Sequence, residues 1–73
     1  PADIFLANIN RNVILGDIEA YASHLRNSGI MILSGFYEDD VPMIEAAARP
    51  LGLVIEAIRS RNKWTVLTLC KQS

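Results

Sequence analysis

Apolar and polar positions fall along this chain in blocks. Ile4, Phe5, Leu6 and Ala7 follow Asp3 without a polar residue, and the run stops at Asn8-Ile9-Asn10. A short run with no polar face predicts a strand buried on both sides, as in a parallel sheet covered by helices. Asn10-Arg11-Asn12 is a polar turn, and the side chain of Asn12 is suited to cap a helix. From Val13 the spacing becomes helical, with Ile14, Ile18, Tyr21 and Leu25 on one stripe that Leu15 and Ala22 widen. Asp17, Glu19, Ser23 and Arg26 take the wet face. Gly16 weakens such a helix by about 1 kcal/mol without forbidding it. Asn27-Ser28-Gly29 predicts its end, with Gly29 as a left-handed cap.

The second half repeats the plan. Ile30-Met31-Ile32-Leu33 predicts a strand that Ser34-Gly35 breaks, and Phe36 to Asp39 a loop beyond its carboxyl end. Asp40 is a candidate N-cap, and Pro42 fits the first turn of the helix that follows. Met43, Ile44, Ala47 and Ala48 supply its apolar stripe. The ring of Pro50 would strike the Ala46 carbonyl, so the regular helix should end near Arg49. Leu53 to Arg61 is a third strand that becomes charged, as an edge strand does. Trp64 to Cys70 is a fourth, with Trp64, Val66 and Cys70 on one face and Leu67 and Leu69 on the other, which suits an internal strand. Asn62-Lys63 between them predicts an antiparallel hairpin. The order is β-α-β-α-β-β, an α/β fold. Two helices are few for three strands that look apolar on both faces, so neighbouring strands are expected to lie outside this segment.

Seventy-three residues make one domain at most, and a chain this short buries only about 60% of its unfolded surface. Hydrophobic residues make up 51% of it, and the formal net charge is -1, which leaves no general basic field for nucleic acid. The single cysteine, Cys70, excludes an internal disulfide and a multi-cysteine metal site, and points to the cytoplasm. No apolar run approaches the roughly 20 residues of a membrane span. The first residue is Pro1 and no signal-peptide pattern follows, so processing and excision from something longer are both open.

The order and spacing of these residues resemble a known family. Asp3 to Asn8, the following helix, Leu33-Ser34-Gly35, the second helix and the terminal Trp64-Thr65-Val66-Leu67 are similar to the C-terminal portion of bacterial ribosomal protein L-eleven methyltransferase, the PrmA family. The family pattern Ala-Asn-Ile-Leu is met here by Ala7-Asn8-Ile9-Asn10, and Asn10-Arg11-Asn12-Val13 departs from the small and apolar residues that often follow. The resemblance implies transfer of methyl groups from S-adenosylmethionine to amines of a ribosomal protein. It implies that residues 1–73 are a single partial domain, the C-terminal half of a Rossmann-like sheet. Class I methyltransferase sheets have the order 3-2-1-4-5-7-6, so this chain would supply 4-5-7-6 with its last strand antiparallel. It implies cofactor contacts at Asn8, with a weaker case for Ile9, and a substrate-side loop at Asn10. The Gly-rich cofactor loop is not in this chain, which has no Gly-x-Gly. The segment alone is therefore expected to be inactive and not to bind S-adenosylmethionine. Its first strand is expected to pair with a second copy.

Each candidate has a plainer reading. Asn8 as a turn residue bonds its own backbone. Asn10 is more often a helix-entry group. Glu38, Asp39 and Asp40 beside a helix start are more often caps and dipole partners than a cation site. Arg59, Arg61 and Lys63 are a wet hairpin end before they are a contact for a ribosomal partner. His24 has no companions for a metal or catalytic set, Cys70 reads as a small core residue, and Ser34 lacks an adjacent histidine base. No residue stands out as catalytic and no metal is expected. The reading from a different class is a free-standing α/β interaction module without catalysis.

Overall fold

A computed structural model describes residues 2–8 and 10–72. The first apolar run is strand β1, Ala2–Asn8, and the helical stripe is α1, Arg11–Ser23. Strand β2 runs Leu25–Tyr37, helix α2 Val41–Ala48, and strands β3 and β4 run Leu53–Arg61 and Trp64–Lys71. The sheet order is β1-β2-β4-β3, with β1 parallel to β2 and the other two pairings antiparallel. That is the expected 4-5-7-6 arrangement, with β4 internal and β3 at the edge. The hairpin turn has φ 54° at Asn62 and 68° at Lys63, the left-handed pair that a tight two-residue connection requires.

Both helices lie on one side of the sheet. Ile14, Ile18 and Ala22 of α1 and Val41, Ile44 and Ala48 of α2 pack with Leu25, Met31, Leu33, Phe36, Leu53, Leu67 and Leu69. The other side is uncovered, and there the expectation of a first strand buried on both sides fails. Ile4 is 63% and Leu6 71% exposed, while Phe5 and Ala7 are half-buried beneath α1. Two helices reach across one face of four strands and no further. Cys70 pairs with Ile30 and Val54 on the uncovered face, so it is half-buried there and not in the core. Met43, expected on the apolar stripe of α2, is 49% exposed.

The ends of α1 also differ from expectation. Asn10, not Asn12, is its N-cap, with Oδ1 accepting from the Val13 amide at 3.0 Å. The helix stops at Ser23, before Asn27-Ser28-Gly29, and Lys71 caps one of its last carbonyls. The Lys71 Nζ donates to Ala22 O at 2.6 Å and to Leu25 O at 2.9 Å. The polar triplet sits inside β2 as an irregularity, where the pairing to β1 jumps from Ala2–Leu25 to Ile4–Ile30. Ser28, not Gly29, takes the left-handed conformation, with φ 68°. Gly29 is needed for space, since a Cβ there would lie 2.7 Å from Arg26 O and 2.8 Å from a Leu25 methyl. Asp40 holds the expected N-cap position of α2, but its carboxylate makes no cap bond to that helix; it accepts from the Tyr37 amide at 3.1 Å, closing the 3-10 turn Glu38–Asp40.

Candidate functional site

In an open sheet with parallel strands, ligands bind beyond the carboxyl ends of those strands. Here the parallel pairing of β1 with β2 ends at Asn8 and Ser34, which face each other in register. Asn8 is exposed and Ser34 half-buried. The row continues from Ser34 to Val66 on β4 and from Val66 to Arg59 on β3. Past Ser34, Gly35 has φ 95° and the pairing with β4 shifts by one residue. That bulge turns Phe36 into the core and leaves Tyr37 57% exposed. Tyr37 meets Trp64 edge to face, with ring centroids 5.3 Å apart. The Glu38 amide then donates to Lys63 O at 3.0 Å and ties the loop to the hairpin.

These bends leave a groove of about 270 Å³ lined by Asn10, Asn12, Gly35, Phe36, Tyr37 and Asp40. A neighbouring cavity of about 240 Å³ lies between Tyr37, Lys63 and the acids Glu38, Asp39 and Asp40. Of the residues expected from sequence, Asn10 lines the groove while its Oδ1 serves the helix cap. Asn8 stands on the neighbouring strand end, outside the groove lining. Ile9 lies outside the described residues. Asn12, Gly35, Tyr37 and Asp40 were missed as site residues. The Ser-Gly break after an apolar strand was the available signal, because glycine at a strand end marks a bulge.

The chemistry available is polar and positional. Exposed amides at Asn8, Asn10 and Asn12 can donate or accept, and the rings of Phe36 and Tyr37 line the groove with Asn10 and Asn12. Asp40 is already engaged by the Tyr37 amide. Among the described residues, no three His, Cys, Asp or Glu side chains come together as a metal site would need. His24 sits at the far end of α1, where its amide caps Tyr21 O and Ala22 O.

Comparison with known proteins decides which family this arrangement serves. The family model described as ribosomal protein L11 methyltransferase (PrmA) matches residues 1–72. The chain belongs to the PrmA family. It is 46% identical over 71 residues to a ribosomal protein L11 methyltransferase of Porphyromonas gingivalis, a match covering 97% of this chain and 24% of that protein. Another of that name from Listeria welshimeri is 40% identical over 65 residues, covering 89% of this chain and 21% of the relative. The crystal structure of a ribosomal protein L11 methylase from Lactobacillus delbrueckii subsp. bulgaricus superposes with a TM-score of 0.89 at 28% identity. It covers 97% of this chain and 37% of that one. The chain therefore spans about a quarter of the curated PrmA relatives it matches. Its four strands and two helices are consistent with the C-terminal half of their Rossmann-like sheet.

Proposed function

We propose that this chain supplies one wall of the cofactor and amine site of an S-adenosylmethionine-dependent protein methyltransferase. The full-length protein would methylate amines of ribosomal protein L11. The observation that carries the reading is Asn8, an exposed amide at the carboxyl end of β1 and beside the free edge of the sheet. In the family order 4-5-7-6 that edge is where strand 1 would pair, and the crevice between those two strand ends is where such a sheet takes its ligand.

S-adenosylmethionine supplies an electrophilic methyl group on a sulfonium. A neutral amine displaces it directly: the N–C bond forms as the S–C bond breaks, the sulfur keeps the electron pair, and the amine releases a proton. No covalent enzyme intermediate is needed, so holding the two reactants in line is the main task. The Asn8 amide can hold a polar group of the cofactor or an amine hydrogen. It is too weak a base to deprotonate an ammonium group, so the amine is expected to be neutral before reaction, and the proton of the methylated ammonium passes to water. The groove bounded by Asn10 and Tyr37 lies on the side from which a protein substrate would enter. The Gly-rich loop of the family pattern is not among these residues, so they fit only part of the cofactor.

The chain by itself should thus bind S-adenosylmethionine no tighter than about millimolar, near -4 kcal/mol. It should transfer no methyl group. It should also self-associate, through the open edge of β1 or the uncovered face beside it. The expected compartment is the cytoplasm. Calorimetric titration of S-adenosylmethionine into this chain and into the full-length protein tests the reading. Binding only by the full-length protein is expected. Micromolar binding by the chain alone, or none by either, would defeat it.

A further inference from the structure

The row that begins at Asn8 ends at an arginine. Asn8, Ser34, Val66 and Arg59 lie opposite one another across all four strands, on the uncovered face. The next row at the same end pairs Tyr37 with Trp64 and Trp64 with Arg61. Arg59 and Arg61 thus stand side by side on β3, at the ligand end. With Trp64 and Val66 they line a cavity of about 360 Å³. Both are exposed, and neither side chain has an ion-pair or hydrogen-bond partner among the described residues. Their strand is the outer one. In the family order it remains an edge, whereas the β1 edge is taken by strand 1.

Two arginines on one face of β3, lining one cavity with Trp64, fit a carboxylate, which arginine engages through two parallel N–H donors. Glu38, Asp39 and Asp40 line a separate cavity with Tyr37 and Lys63, which disfavours an anion there, whereas the cavity at the arginines has no acidic lining residue. Nucleic acid is the weaker fit, because the chain carries net charge -1. Three strand spacings separate Asn8 from Arg59, roughly 14 Å, which an extended peptide covers in about four residues.

We propose that Arg59 and Arg61 form a specificity site for an aspartate or glutamate of the protein substrate, about four extended residues from the amine presented at Asn8. The inference rests on the methyltransferase reading above. The test uses the full-length protein, ribosomal protein L11, and the double variant Arg59→Gln/Arg61→Gln. Two readouts are taken: steady-state methylation, and L11 binding by fluorescence anisotropy with no cofactor present. The variant should raise KM and the L11 dissociation constant about five- to tenfold and leave kcat within about twofold. Added salt should shrink the difference. Arg59→Lys/Arg61→Lys should recover part of the loss. Unchanged L11 affinity in the Gln variant would overturn the proposal. So would a loss of kcat at constant KM, or weakened binding of a ribosomal RNA fragment with L11 binding intact. Wild-type protein that binds L11 through these arginines without methylating it would overturn the methyltransferase reading alone.

Discussion

Lys71 offers the sharpest stability prediction, because one side chain joins three elements. It sits at the end of β4, and its ammonium reaches the last carbonyls of α1 at Ala22 and the first of β2 at Leu25. Both bonds are short, charge-assisted and part-buried. Hydrogen bonds to a charged group are worth about 1.5–3 kcal/mol each, and a cation at a helix C-terminus adds about 0.3–1 kcal/mol. Desolvation of the ammonium offsets part of this. Lys71→Met keeps the aliphatic stem and removes only the donors, so the expected net loss is about 2–3 kcal/mol. A 73-residue domain has roughly 4–11 kcal/mol in all, so the change is a large fraction of it. With a urea m-value near 1 kcal/mol/M, the midpoint should fall by about 2–3 M. Urea titration followed by far-ultraviolet circular dichroism, at one fixed protein concentration, reads it directly. A shift below about 0.5 M would show that water replaces the ammonium at no cost, and the reasoning would be refuted.

One substitution should act in opposite directions at two glycines. Gly16→Ala should stabilise by about 0.5–1 kcal/mol, because nothing lies within 4 Å of the added Cβ. Gly29→Ala should destabilise by about 1–3 kcal/mol against the Arg26 carbonyl, as parallel melts would show. The Tyr21 pKa is raised above 10.0, first by burial and then by the charge and hydrogen bond of Asp17. Its contribution to stability is thus fully present below pH 10.0 and lost as the pH rises through the higher folded-state value, so Tyr21→Phe should flatten the alkaline limb of a melting-temperature profile. Sedimentation of the isolated chain at tens of micromolar should show association that Leu6→Lys weakens, since the Leu6 side chain stands mostly in water on an uncovered edge strand. A compact monomer with β1 amides as protected from exchange as those of β4 would count against it.

The sheet was legible because strand faces follow a period of two. Leu67 and Leu69 are fully buried, and Trp64 and Val66 are exposed on the other side, as the alternation required. Topology followed from the Asn62-Lys63 turn and from the family order. The end of α1 was not legible. Leu25 continues the helical stripe in sequence, yet it is buried as the first residue of β2, and the two periods place it inward alike. The lysine that caps its end lies 49 residues from Ala22, beyond any local pattern. Asn10 and Asn12 offer the same capping oxygen two residues apart, so composition could not choose between them. Asn8 was visible as a strand-end amide. The groove beside it depends on the Gly35 bulge, and the Asn8-to-Arg59 row on the register of three strand pairs, neither of which spacing along one segment reveals.

Methylation of ribosomal protein L11 by the full-length protein, wild type against Asn8→Ala, is the most direct test of the central claim. Initial rates by mass spectrometry and thermal melts should come from the same preparations. Asn8 is the exposed last residue of β1 and fills no core space, so the melt should hardly move. A lost cofactor or substrate hydrogen bond should cost about 1–3 kcal/mol, a rate reduced about five- to 150-fold. Wild-type rates in the variant, or a melt that falls in step with activity, would make Asn8 a turn residue and contradict the account.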